Sequence, residues 1–284
     1  MSKEAIRLGR SKVIWAIQRK VLKTLPIRSE VKGEEHLNIV RELLAKGENV
    51  VAIIDHRIFA DIVSGSKAIL ETGSDDLLGS SVFIIKLKYL ENALIGLALK
   101  SIRVIGVVSS TMEGDPRQSQ VNIKALRAVR DLPQGSLIVL APEGTRVRTG
   151  KMEKARKEAA SFWRVLNNAW LFPIALEGTE DQWPNGTLGG IKFIAGGFRK
   201  NMRVIFGEPV KIKDIQLEIK HYETSDKKQL EVDLAMLQIA LLHMTQGDPM
   251  YTLGYYWEFL KNLEKKAELP SSRLTFRSEK TWQG

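Results

Sequence analysis

Short runs in which nearly every residue is apolar recur along the chain: Val50 to Ile54, Ile102 to Val108, Leu137 to Leu140, Leu171 to Leu176 and Arg203 to Phe206. Unbroken apolarity over so few positions, rich in Val and Ile, predicts strands covered on both faces. Segments with helical spacing lie between them, among them Glu34 to Lys46, closed by Gly47, then Val121 to Asp131 and Lys154 to Asn167. Strands alternating with helices predict an α/β fold: a central, largely parallel sheet flanked by helices. In such sheets ligands gather outside the carboxyl ends of the strands.

The two ends of the chain depart from this alternation. Residues 12 to 25 read as an amphipathic helix, with Val13, Ile14, Ile17, Val21 and Leu25 in one stripe and Lys12, Arg19, Lys20 and Lys23 away from it. Pro26 ends it. Near the other end, Leu230, Leu234, Leu237 and Leu241 mark a helix stopped by Gly247 and Pro249. An aromatic-rich helix over 250–268 follows, and the tail from Pro270 reads as loosely ordered. The expected organisation is a basic N-terminal segment (1–28), a main domain (29–212) and a helical C-terminal extension (213–284).

Composition narrows the chemistry. The 284 residues contain no cysteine, which excludes disulfides, thiol catalysis and thiolate-bound zinc. The four histidines, 36, 56, 221 and 243, show no HExxH spacing, so no metal site is expected. His36, His221 and His243 read as ordinary surface or helix-end residues. The net charge is +10, and residues 1–28 hold eight basic side chains against Glu4 alone. That end predicts an anionic partner: nucleic acid, an acidic protein or an anionic lipid surface. A solvated helix face accounts for the charge equally well.

The most apolar long stretch, Leu87 to Val108, is interrupted by Lys88, Glu91, Lys100 and Arg103, and falls short of a membrane span. The first residues lack the apolar core of a secretory signal. The expected location is cytoplasmic, peripheral on the membrane face.

Two strand ends carry candidate chemistry. Val50–Ile54 runs into Asp55-His56, with Asp61 five positions after the histidine. Alone, the pair reads either as a base with its orienting carboxylate or as two polar residues closing a buried strand. Leu137–Leu140 runs into Ala141-Pro142-Glu143-Gly144-Thr145-Arg146, followed by Arg148 and Lys151. Glycine permits close backbone approach, and arginine grips phosphate through two parallel hydrogen bonds. A nucleotide-binding loop does not fit: five residues separate Gly144 from Gly150 instead of four, and Met152 occupies the place of the metal-binding Ser or Thr. GxGxxG and GxSxG are both absent. The aromatic residues Tyr251, Tyr255, Tyr256, Trp257 and Phe259 read as packing, an acyl-chain pocket or a membrane edge.

In this order, His56-x4-Asp61, Glu143-Gly144-Thr145-Arg146, "LFPIALEGT" (Leu171–Thr179) and "MRVIFGEPVKI" (Met202–Ile212) resemble the glycerolipid acyltransferases, best known as 1-acylglycerol-3-phosphate (lysophosphatidate) acyltransferases. The resemblance covers roughly residues 30 to 212. It implies His56 as catalytic base with Asp61, and Glu143, Gly144, Thr145 and Arg146 at the acceptor phosphate. Two departures stand out. Asp55 takes the place of a common asparagine, and Met112 stands about where an arginine closes the second block, with Arg117 five residues later as a substitute.

The residues suit that chemistry by themselves. Acyl transfer from a thioester to an alcohol needs a base for the hydroxyl proton, and neutral imidazole serves near neutral pH. A carboxylate on its other nitrogen fixes the tautomer. The acceptor hydroxyl is the nucleophile, so no catalytic Ser or Cys is required. The resemblance implies no cofactor and no metal: acyl-CoA or acyl-carrier protein would be the donor, and a lyso-glycerolipid on an anionic membrane the acceptor. Alternatives are acylation of glycerol 3-phosphate or another lyso-lipid. From a different class comes a non-enzymatic basic module for membrane or nucleic acid, which leaves the motif set unexplained.

Overall fold

The computed structural model describes residues 5–9, 11–24, 28–55, 61–92, 96–97, 99–108, 116–144, 151–166, 168–178, 201–222, 224–252 and 254–266. Among them one sheet dominates. Its strands are β1 (Ile6–Arg7), β2 (Arg28–Lys32), β3 (Val50–Ile54), β4 (Val82–Lys86), β5 (Arg103–Val107), β6 (Leu137–Leu140), β7 (Trp170–Glu177), β8 (Asn201–Phe206) and β9 (Val210–Lys211). The spatial order is β1-β5-β4-β6-β3-β7-β8-β2, with β9 on β7. The pairs β5–β4, β4–β6, β6–β3, β3–β7 and β8–β2 are parallel, whereas β7 meets β8 and β9 antiparallel. The fold is α/β with a largely parallel sheet, as the alternation predicts.

Side-chain alternation along the central strands divides the core in two. Val51 and Ile53 of β3 and Leu171 and Ala175 of β7 face one layer, and Val50, Ala52, Phe172 and Ile174 face the other. Helix α2 (Glu35–Ala45) covers the second layer with Leu37, Val40 and Leu43, joined by Ala68 of α3 (Asp61–Glu71) and Leu77 of α4 (Asp75–Ser80). A short α5 (Leu87–Glu91) follows β4. The first layer is closed by α6 (Gln118–Arg130), α7 (Ala160–Arg164), α8 (Ile212–Glu218) and α9 (Lys227–Gln246).

The long helix α9 belongs to this core. Val232, Met236, Leu237 and Ile239 are fully buried and pack with the sheet, so α9 and the sheet share one apolar layer. Buried Glu231 completes the seam, accepting hydrogen bonds from Trp163 Nε1 at 2.7 Å, Arg164 Nε at 2.7 Å and Gln216 Nε2 at 3.0 Å.

Three expectations need correction. Lys154 to Asn167 does not form one helix: a 3-10 turn, Lys157–Ala159, leads into the short α7. Backbone groups before it are taken elsewhere, since Ala155 N–H donates to Tyr256 Oη and Ala155 O accepts from Gln229 Nε2. The aromatic segment is likewise two pieces, a 3-10 turn at Pro249–Thr252 and α10 (Tyr255–Lys266), separated by Gly254 at φ +128°. Its rings are packed: Tyr256 is buried, and Tyr255 donates to Asp233 at 2.8 Å. The third correction concerns helix α1 (Lys12–Thr24), which buries no residue completely. It lies on α3 and the turn Leu99–Ser101, with Ile14, Trp15, Gln18 and Leu22 half-buried. Val13, Ile17 and Val21 point outward, so the apolar stripe is split between two faces. The tail from Pro270 lies outside the described residues.

Candidate active site

Parallel register brings the two motif-bearing strand ends together. Ile53 of β3 pairs with Leu140 of β6, so Asp55 and the Ala141–Gly144 turn leave neighbouring strands at the same edge of the sheet. The chain continues from the first into His56 and from the second into Thr145 and Arg146. These three residues, and Met112, lie outside the described residues.

Asp61 is the first residue of α3 and is 1% exposed. A carboxylate there sits in the favourable field of the helix N-terminus. It lines an apolar cavity of about 60 Å³ together with Leu37, Ile69, Leu77, Phe172 and Phe206. That space admits water or the tip of an apolar chain.

Glu143 is also buried and accepts the Glu153 N–H at 3.1 Å. Gly144 has φ +66°, and a β-carbon there would lie 3.0 Å from Arg156 Cδ. Glycine is therefore required for the turn and for the close approach of Arg156. The segment after the motif folds back over it: Arg156 N–H donates to Pro142 O, and Met152 N–H to Tyr251 O. Arg117 stands at the start of α6 with its guanidinium on Glu91, 2.7 Å away. Lys151 is exposed.

A family model described as Acyltransferase matches residues 28–181, more than half of the chain. The chain belongs to the acyltransferase family. No curated protein matches it. The matched span of the acyltransferase contains both motif-bearing strand ends, β3 and β6, and all of β7. Among the described residues no helix is long and apolar enough to cross a membrane, and no group of three or more His, Asp or Glu side chains is arranged to hold a metal ion.

The sequence reading missed a buried polar cluster beside the first motif. His243, read as an ordinary helix-end residue, is completely buried. Its Nε2 lies 3.2 Å from Asp55 Oδ2, and its Nδ1 lies 2.7 Å from Glu177 Oε1. The Tyr251 ring stacks on it, with centroids 5.3 Å apart. Glu177 also accepts the Asp248 N–H at 2.7 Å and Arg203 Nη1 at 2.8 Å. Gly247 makes that approach possible, since a β-carbon there would collide with Glu177 Oε1.

Burial alone would raise the Glu177 carboxyl. The His243 ring, the Asp248 N–H and the Arg203 guanidinium together outweigh it and hold the group below its ordinary 4.5. A carboxyl lowered on folding contributes stability above its unfolded value and loses it as pH falls through the folded value. Glu177→Gln should therefore cost most at neutral pH, and its gap from the native protein should narrow below about pH 4.5. Urea midpoints of both proteins from about pH 6 to about pH 3 measure this. A gap that stayed constant through that range would remove Glu177 from the acid response.

Proposed function

We propose that this acyltransferase moves a fatty acyl group from an acyl thioester, acyl-CoA or acyl-carrier protein, to the hydroxyl of lysophosphatidate or a related lyso-glycerolipid. His56 is the general base and Asp61 its orienting carboxylate. The observation that carries this reading is the adjacency of the β3 and β6 carboxyl ends, which feed the His56 and Arg146 segments from neighbouring strands. Buried Asp61, against an apolar cavity, supports it from α3.

In the reaction, His56 takes the acceptor's hydroxyl proton as the oxygen attacks the thioester carbonyl. The tetrahedral intermediate then collapses, and the thiolate leaves with the proton returned by the imidazolium. Asp61 steadies that imidazolium. No enzyme-bound acyl group forms, consistent with the missing cysteine and nucleophile elbow. The deciding experiment is mass spectrometry of products after incubation with several lyso-lipids, glycerol 3-phosphate and both donor types. Phosphatidate, or the diacyl product of a related lyso-glycerolipid, supports the reading, and no acylated product from any pair overturns it.

Arg146, with Gly144, Thr145 and Glu143, binds the acceptor phosphate in this reading. The phosphate stays charged throughout the reaction, so most of its binding is uniform. Arg146→Ala should raise KM by more than it lowers kcat, and Arg146→Lys should restore only part, keeping the charge without the two-pronged geometry. An unchanged KM for the phosphorylated acceptor would move phosphate recognition to Arg117 or Lys151. The second reading, acylation of another lyso-lipid or of glycerol 3-phosphate, is favoured by Met112 at the place where an arginine usually closes the second block; Arg117, the substitute, is paired with Glu91. The same product panel separates the two.

A further inference from the structure

We propose that His243 is a positioning residue of the acyl-transfer site: a buried imidazolium, held between the Asp55 and Glu177 carboxylates, that fixes the end of β3 and offsets the charge of Asp55 next to His56. The inference rests on His56 as the base.

The geometry defines the charge state. Asp55 is completely buried, and its Oδ1 accepts the Leu176 N–H at 2.9 Å while Oδ2 faces His243 Nε2. Glu177 Oε1 faces the other ring nitrogen. With both carboxyls ionised, an imidazole placed between their oxygens donates from both nitrogens, which makes it a cation. Among the described residues, the ring is faced by Asp55 from the end of β3, Glu177 from β7 and the Tyr251 ring after α9. Behind Glu177 lie Arg203 of β8 and then Glu30 of β2, its Oε2 2.9 Å from Arg203 Nε. The signs alternate along this row: Asp55, His243, Glu177, Arg203, Glu30. Alternation makes the buried stretch Asp55, His243 and Glu177 tolerable, because an ion left unpaired there costs several kcal/mol.

The row also links three elements to the residue before His56. Asp55 joins the end of β3 to β7 through Leu176 and to α9 through His243. A bare carboxylate at Asp55 would favour the protonated form of the adjacent base, since a nearby negative charge stabilises imidazolium. Neutralising that charge keeps His56 available to accept a proton. Asparagine at this position offers the chemical contrast. Its Oδ1 could accept the Leu176 N–H while its Nδ2 donated to a neutral His243 ring, whose Nδ1–H still reached Glu177. The hydrogen bonds survive, and one negative charge leaves together with one proton.

The test uses the full chain with ¹⁵N-labelled histidine. Four histidines are few enough to assign each ring by single substitution. In the native protein both His243 nitrogens should show imidazolium shifts at pH 7. In His243→Gln the Asp55 charge loses the imidazolium beside it, and the His56 titration midpoint should rise by about one pH unit, tenfold in proton affinity. Adding Asp55→Asn should return the midpoint to within about 0.3 units of native. The acid limb of kcat should follow the same order, whereas a purely structural role would leave both midpoint and limb in place. A neutral His243 ring in the native protein, or an unmoved His56 midpoint in folded His243→Gln, overturns the proposal. Should His243→Gln not fold, Asp55→Asn carries the test: its His243 ring should read as neutral at pH 7, and a doubly protonated ring refutes the assignment. Ring shifts need no substrate, so failure of the acyl-transfer reading appears in the turnover of His56→Ala, and failure of this inference in the titrations.

Discussion

His56→Ala should lower turnover by on the order of 10²- to 10⁴-fold, the usual worth of a general base. Acyl transfer to an alcohol stalls without a group to take the hydroxyl proton, because a neutral hydroxyl is a weak nucleophile and an attacking oxygen that keeps its proton is readily expelled again. His56 is the candidate that sequence order places at the β3 end, immediately after buried Asp55. Asp61, the carboxylate proposed to orient it, is placed by α3 and shielded from solvent, where a carboxylate interacts strongly with an imidazolium. Asp61→Asn should accordingly reduce kcat with little change in KM, since it acts when the imidazolium forms. Circular dichroism and urea midpoints establish that each variant is folded, and steady-state assays with the acceptor identified by mass spectrometry give the rates. A folded His56→Ala protein with full activity would end the proposed mechanism.

The parts of the fold that were legible in the sequence are those buried on both faces. Val50–Ile54 and Leu137–Leu140 lie at the centre of the sheet, with helices on either side, and their apolarity is continuous for that reason. β2 escaped notice because Arg28–Lys32 is an edge strand with a polar sequence and only partial burial. β4 ran without punctuation into the apolar residues after it, so no boundary marked it. The single helix expected over Lys154–Asn167 failed because α9 and α10 supply partners, Gln229 and Tyr256, for backbone groups the helix would need.

The candidate site divides the same way. His56, Asp61, Glu143, Gly144 and Arg146 were legible because each pair is close in sequence and follows an apolar run. His243 was not, because its partners Glu177 and Asp55 lie 66 and 188 residues away. One signal was present. A carboxylate at Asp55, ending a strand whose apolar run marks it as buried, requires a cation or donor from elsewhere in the chain. His243, on a helix whose other residues are mostly apolar, is a natural source of it.

The N-terminal helix should bind anionic lipid surfaces, weakly enough to be reversed by salt. Val13, Ile17 and Val21, spaced by four, are 69%, 58% and 52% exposed, so their apolar surface is not taken up by the protein's own core. Lys12 and Lys20 flank the same outward arc. Arg19 and Lys23 contribute less, since both pair with Asp75 of α4. At roughly 1 kcal/mol per basic residue near an anionic surface, two to four of them give about 2 to 4 kcal/mol, or roughly thirty- to a thousand-fold in affinity. Three half-exposed aliphatic side chains entering the interface add roughly 1 kcal/mol each. The charge contribution is screened over about 10 Å at 0.1 M salt, whereas the apolar contribution is not. Co-sedimentation with phosphatidylcholine vesicles, with and without phosphatidylglycerol, separates the two. Lys12→Gln/Lys20→Gln should weaken binding at low salt and match the native protein at high salt. Val13→Ser/Ile17→Ser/Val21→Ser should weaken it at every salt concentration, with the fold intact because these positions face outward. If the folded triple variant sedimented as the native protein does, the attachment would have to lie elsewhere on the chain, and the outward stripe would be only a solvated helix face.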